Sequence, residues 1–410
     1  MLNREYYINE LEYYTNDWRI KMVVGMRGSG KTAIFQQLMK KLKQDEKADN
    51  DHIIYINFEY FEFEKLRDTK YLKEYVLEKI KDVKRYYLFL DEIHHVTHFE
   101  ALLRYFWMYA SNISMYVSTS NSRLLPPDLA RFLKYNYLSF YVTPFTYSET
   151  CELLHTDIKD KKMLLNYLTY GGFPGRFHFK KSTEVKDYIY SLLESSYLRD
   201  VVMRLGIREI DDLNCVFRYV LKYLGKTFSD YLVKDEVAKE NIHPEYFYTY
   251  LDSLSKALII RPSYGYSVRS NKILYGVFRY YIADFGLAYI NGFEVKNNME
   301  GALKNLVWLE LKRKGYEVYC GTKDGEDAID MVAVHEERIM YIQVVHLFED
   351  GSEINKQIAK FDDFEALGPK YLLSLDKRTF ARNGVIHKNI IDFLLDKSIE
   401  IEKEEKNEIS

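Results

Sequence analysis

"MVVGMRGSGKTAIFQQL", Met22 to Leu38, places Gly25, Met26, Arg27, Gly28, Ser29, Gly30, Lys31 and Thr32 in the order G-x-x-x-x-G-K-[ST]. Glycine is needed where a backbone curls so tightly that a Cβ would keep its N–H groups from converging on phosphate oxygens. The spacing therefore predicts a nucleotide-phosphate cradle made by Gly25, Arg27, Gly28, Ser29, Gly30, Lys31 and Thr32. Lys31 is expected to reach the β- and γ-phosphates of ATP, and the Thr32 hydroxyl to ligate Mg²⁺ at the positive end of the next helix. An apolar run, Met22 to Val24, stands in front, and an amphipathic run, Ala33, Ile34, Leu38 and Leu42, stands behind. Strand, loop and helix thus follow in the order that such a loop requires.

A second half of the same site is written in "RYYLFLDEIHHV", where Tyr86 to Leu90 read as a buried strand ending in Asp91 and Glu92. An acid at that point can hold Mg²⁺ through its water shell, and the neighbouring Glu can polarise the water that attacks the γ-phosphate. Asp91 is accordingly the expected metal partner beside Thr32, and Glu92 the expected catalytic carboxylate beside Lys31. A further strand, "ISMYVSTSNS" (Ile113 to Ser122), ends in polar residues at the same edge of the sheet. Ser120 or Asn121 is the expected γ-phosphate sensor, with Asn121 carried forward as the third catalytic residue. The alternative for this stretch is a cap before "LLPPDLARFL".

The chain has 410 residues, enough for two or three domains, and 47% of them are apolar. A net charge of −3 advertises no global field for nucleic acid, so any such binding is local. Cys151, Cys215 and Cys320 are far apart and lack C-x-x-C spacing, which argues for a reducing compartment and against a disulfide framework or zinc. No apolar run approaches the ~18 residues of a membrane span, and the first residues lack the apolar stretch of a signal peptide. A cytoplasmic protein with no membrane partner is expected. The 38 tyrosines and 24 phenylalanines are dispersed and read as packing. Alternating strands and helices through the first 150 residues predict an α/β fold with a parallel sheet covered on both faces.

The motif order "LFLDEI", "STSNSRLL", "TPFTYSE" (Thr143 to Glu149), "YGGFPGRF" (Tyr170 to Phe177), "YLRDVV", "YYIADFGLAY" and "NLVWLELKRKGYEV" resembles a family of prokaryotic AAA-like P-loop ATPases with a C-terminal domain of unknown function. The likeness runs from about residue 15 to about 365. It implies an AAA-type ATPase domain over 1–155, a helical lid and winged-helix-like region over 156–290, and a degenerate PD-(D/E)xK nuclease-like (restriction-endonuclease-like) lobe over 291–400, with a charged tail at 401–410. Where family members carry Gly-Arg before the next strand, this chain has Tyr135 and Asn136. An arginine finger contributes about 10³ to 10⁵ in rate, so turnover is expected to be slow unless Arg123, Arg131 or Arg176 replaces it.

In the winged-helix reading, Tyr246, Phe247, Tyr248 and Tyr250 lie on the recognition helix, with Arg261 and Arg269 on the wing. The helix has no Arg or Lys before Lys256, which favours docking to a protein over DNA. In the nuclease-like lobe, Glu310 and Asp330 match two of the acids such a site needs. "IQVVHLF" puts Gln343 and Val345 where the third acid and the lysine belong, so nuclease activity is not expected. The resulting expectation is an ATP- and Mg²⁺-dependent ATPase that switches conformation for a protein or DNA partner, with a homo-oligomer possible. The alternatives are a nucleotide-dependent interaction module with negligible turnover and, against the reading of "IQVVHLF", an ATP-gated nuclease.

Overall fold

The structure is a computed structural model that describes residues 2–120, 136–196, 210–228, 244–324, 326–362, 364–396 and 399. The first lobe runs α1 (Glu5–Tyr13), β1 (Ile20–Val24), α2 (Lys31–Gln44), β2 (Ile53–Asn57), α3 (Thr69–Lys79), β3 (Tyr86–Asp91), α4 (Phe99–Tyr109), β4 (Ile113–Thr119) and β5 (Tyr137–Tyr141). Its strands form a five-stranded parallel sheet in the order β2-β3-β4-β1-β5, as the βα alternation requires. The apolar runs Met22–Val24 of β1, Tyr86–Leu90 of β3 and Met115–Val117 of β4 follow from burial on both faces. Alternate residues divide the two cores: Met22, Leu88, Leu90 and Val117 pack beneath α3 and α4, and Val23, Phe89 and Tyr116 beneath α1 and α2. The order leaves β4 between the loop-bearing β1 and the acid-bearing β3, so the ends of all three strands open on one edge.

Among the described residues five helices follow: α5 (Tyr147–Leu154), α6 (Lys161–Tyr170), α7 (Ser182–Ser196), α8 (Ile210–Lys222) and α9 (Pro244–Lys256). Thr146 opens α5 with a capping box closed by Glu149. The rest of the chain is β6 (Ile260–Ser267), β7 (Lys272–Ile282), α10 (Phe285–Ile290), α11 (Met299–Arg313), β8 (Glu317–Lys323), β9 (Glu326–His335), β10 (Arg338–Val344), α12 (Gly351–Ala359), β11 (Lys370–Ser374), β12 (Phe380–Arg382), β13 (Val385–Asn389) and α13 (Ile390–Leu394). These strands make one mixed sheet, β12-β13-β11-β10-β9-β8-β6-β7.

The β6–β7 hairpin, read from sequence as a wing, is continuous with the C-terminal sheet through the parallel pairing of Gly265–Ser267 with Cys320–Thr322. Two aromatics of the expected recognition helix, Phe247 and Tyr250, are buried in the core, while Tyr246 and Tyr248 are 60% and 40% exposed. Arg261 stacks its guanidinium 4.0 Å above the Tyr141 ring of the first lobe, and the exposed Arg269 pairs with Asp324 at 2.8 Å.

Candidate functional site

The loop after β1 needs its glycines for two physical reasons. A Cβ on Gly25 would meet the Val142 carbonyl oxygen at 2.3 Å, and Gly28 and Gly30 hold φ of +79° and +100°. Gly30 caps α2 without a side-chain hydrogen bond, which leaves the first N–H groups of that helix to face the loop. Arg4, just before α1, braces the loop from behind: its Nη1 donates to Ser29 O (3.1 Å) and Thr143 O (2.8 Å), and its Nε to Glu149 Oε1 (2.8 Å). The Ser29 hydroxyl is buried without a hydrogen-bond partner among the described residues, as a side chain facing a ligand's place would be.

Lys31 Nζ lies within 2.9 Å of Glu92 Oε1, donates to Gly25 O (2.9 Å) and reaches Met26 O at 3.3 Å. Thr32 Oγ1 donates to Asp91 Oδ2 at 2.7 Å, so the hydroxyl and carboxylate expected around Mg²⁺ stand together. Both are hard oxygen donors of the kind Mg²⁺ takes. Burial pushes the Asp91 carboxyl above its usual range despite hydrogen bonds from Ser118 and Thr32, a cost that a cation would offset. Glu92 goes the other way: burial alone would raise it, but Lys31 and His94 hold it well below the carboxylate range. Glu92 also sits in the left-handed region (φ 54°, ψ 51°), an uncommon and costly conformation for a non-glycine residue. Its Oε2 accepts from Ser120 N (3.1 Å) and faces His94 Nδ1 at 3.2 Å.

Of the other residues expected here, Arg27 turns outward to Glu59 (2.5 Å) at the rim. Asn121, like Arg123, Arg131 and Tyr135, lies outside the described residues. Ser120 is buried beside Glu92, contributing its backbone N–H, while its hydroxyl has no partner among the described residues. Arg176 is 6% exposed, held over the Phe177 ring at 4.2 Å, and this burial removes it as a finger for a neighbouring subunit.

Sequence reasoning missed the groups that fix the two acids. Asn57 and Tyr55 of β2 each donate to Asp91 Oδ2 at 3.1 Å. Ser118 donates to Asp91 Oδ1 and accepts from Glu92 N at 2.9 Å. Asn57 stands in register with Asp91 across the β2–β3 pair, and the polar end of "IIYIN" was the available signal. Over the loop, Leu192 and Phe173 lie 3.0 and 3.6 Å from where a Gly28 Cβ would be, so "GGFPGRF" and α7 form the roof.

The C-terminal lobe corrects one expectation. Glu310 pairs with Arg313 (2.5 Å) and does not join Asp330. Ten residues earlier on α11, about 15 Å at 1.5 Å per residue, Glu300 binds Lys304, which in turn reaches Asp330 Oδ1 at 2.8 Å. Gln343 does stand beside Asp330, accepting its N–H at 3.2 Å, and Val345 is buried in the core.

Comparison with known proteins agrees with the first lobe. Residues 17–151 match a family described as an AAA domain, and residues 161–294 match a domain of unknown function. The chain is 27% identical over 352 residues to an uncharacterized protein of Haemophilus influenzae, covering 84% of this chain and 86% of that one. It is 27% identical over 316 residues to an uncharacterized protein of Methanocaldococcus jannaschii, covering 73% and 67%. Among solved structures, the Walker-type ATPase PABY2304 of Pyrococcus abyssi aligns with 72% of this chain and 96% of its own, at 13% identity and a TM-score of 0.48. The phosphate-cradling loop, the parallel sheet that carries it and the matched residues lead to one assignment: this chain has an AAA-type P-loop ATPase-like domain joined to a domain of unknown function.

Proposed function

We propose that the chain binds ATP and hydrolyses it slowly in an Mg²⁺-dependent reaction, using the nucleotide as a conformational switch for a protein or DNA partner. The observation that carries this reading is the convergence of Lys31, Thr32, Asp91 and Glu92 in mutual contact at the mouth of the loop. Thr32 and Asp91 would hold Mg²⁺, which when bound neutralises charge on the phosphate oxygens. Lys31 exchanges its bonds to Glu92 and the loop carbonyls for bonds to phosphate. Glu92, held ionised by its surroundings, is then free to orient a water and draw on its proton, with Ser120 N holding Oε2 and His94 beside it. A second reading, a nucleotide-dependent interaction module with negligible turnover, is favoured by Asn136 standing where the resembling family has Arg.

Phosphate release from ATP, followed beside calorimetric ATP binding, separates the two. Turnover that requires Mg²⁺ and is lost in Lys31→Ala together with binding supports the ATPase. Binding without turnover leaves the module. Lys31→Ala that binds ATP as tightly as wild type sinks the site itself.

A further inference from the structure

A cavity of about 150 Å³ lies against the C-terminal sheet, apart from the nucleotide loop. Its floor is an ionic network on β7, β9 and α11. Arg279 Nη1 reaches Asp330 Oδ1 at 3.2 Å and donates to its carbonyl at 3.0 Å, while Nη2 pairs with Asp327 at 3.1 Å. Lys304 adds 2.8 Å to the same Asp330 oxygen, and Val344 N donates to Oδ2 at 2.9 Å. Burial would raise the Asp330 carboxyl, yet Lys304 and Arg279 hold it below its usual range. Both acids lining the cavity are thus consumed by the floor.

The walls then bring charge that the floor does not match. Lys226, in the turn after α8, and the half-buried Lys360, after α12, add two ammonium groups, and no ion pair to either is formed among the described residues. Four cations therefore face three carboxylates, Asp327 and Asp330 in the lining and Glu300 beside Lys304, and the two lysines of the walls are the ones with no acid of their own among the described residues. Gln343 is 2% exposed, and because its Oε1 accepts from Asp330 N, its amide nitrogen is the group left to donate. That side chain lines the cavity beside Lys304 and Lys360.

We infer that this cavity is an anion site for a phosphate group, carried by a free phosphoester or by a polynucleotide backbone and held by Lys226, Lys360 and the Gln343 amide above the Arg279–Lys304 floor. The space equals that of about five waters, room for one tetrahedral oxyanion and its remaining hydration. Burial lowers the Lys360 ammonium; Asp330 and Glu300 pull it up while Lys304 and Arg279 push it down, and a bound anion would add to the upward pull. The site stands independently of hydrolysis at the first lobe.

Inorganic phosphate and a fluorescent oligonucleotide are titrated into the full chain with the loop at Lys31 saturated by a non-hydrolysable ATP analogue, and again into Lys31→Ala. Both backgrounds bind at least one probe, and Lys226→Ala/Lys360→Ala weakens that binding roughly ten- to a hundredfold, as expected for two charge-assisted bonds. Gln343→Leu, which keeps the volume, weakens it as well. Phosphate bound without the oligonucleotide identifies a small phosphoester; oligonucleotide binding that falls with salt identifies a backbone. Circular dichroism verifies that the double variant is folded, since its two lysines bear no internal pair. Absence of binding by either probe, or equal binding by the folded double variant, overturns the inference.

Discussion

At the scale of single residues, the two acids after β3 are chemically unequal although they are neighbours. Asp91 is anchored by Thr32, Tyr55, Asn57 and Ser118, whereas Glu92 is held in a left-handed backbone against Lys31. Glu92→Gln should therefore keep ATP affinity within a few-fold and lose turnover by about 10² or more, the usual range for a general base. Equal phosphate release by this variant and wild type would move the role to another group. The identities of Lys31, Thr32, Asp91 and Glu92 could be read from spacing, because the loop pattern is local. That Asn57 and Tyr55 steady Asp91 could not, because it depends on β2 lying in register with β3. Lys21 is a different case: burial and Arg85 push its ammonium down to about 7, although it donates to Ser114 Oγ (2.9 Å) and Asp17 O (3.0 Å). Between pH 7 and 10 the unfolded chain holds the proton that the folded chain has lost, so stability rises with pH across that window. Urea midpoints at pH 7 and pH 9.5 should show this rise in wild type and a flatter response in Lys21→Met; the same slope in both would mean that Lys21 stays charged in the fold.

At the scale of elements, α1 acts as a strap that ties the phosphate loop to the segment before α5. Arg4 joins Ser29, Thr143, Pro144 and Glu149 from a fully buried position, and Glu149 also closes the capping box of α5. Removing one partner of a buried pair leaves the other charge uncompensated, at a cost of about 3–5 kcal/mol. Arg4→Ala should lower the melting temperature and also weaken ATP binding, since the Ser29 carbonyl that fixes the loop loses its donor. A variant that melts lower but binds ATP normally would make the strap purely structural. Strand and helix types were legible here because the parallel sheet writes continuous apolar runs. The place of β6 and β7 was not, since a hairpin in sequence looks the same whether its outer edge is free or paired to β8. Glu310 misled for a related reason: its helix was readable, but which turn of that helix faces Asp330 is set by packing.

At the scale of the whole molecule, one core runs without a break from Met26 in the phosphate loop to Phe393 near the end of the chain. Asp284, the N-cap of α10, ties the segment that roofs the phosphate loop to the end of β7 within that core. Its Oδ1 accepts from Gly286 N at 2.7 Å, and its Oδ2 from Gly172 N at 2.6 Å in the "GGFPGRF" segment that roofs the loop. A Cβ on Gly171 would fall 1.7 Å from Asp284 Oδ1, so the approach depends on glycine there. Nucleotide bound beneath Phe173 and Leu192 should thus stabilise the C-terminal lobe as well as the first. In calorimetry, wild type is expected to unfold in one transition that moves upward as a unit with a non-hydrolysable ATP analogue. Asp284→Ala leaves two backbone donors without their acceptor, at about 1–3 kcal/mol each. It should split the transition, with only the component from the first lobe following the nucleotide. Burial pushes the Asp284 carboxyl up to about 7, so the folded chain keeps a proton that the unfolded chain releases between about pH 4 and 7. This group's contribution therefore weakens as pH rises through that window, and the separation between wild type and Asp284→Asn should change between pH 5 and pH 7.5. A single transition in Asp284→Ala that still shifts as one with nucleotide would assign the coupling to the remaining apolar core and remove Asp284 from it.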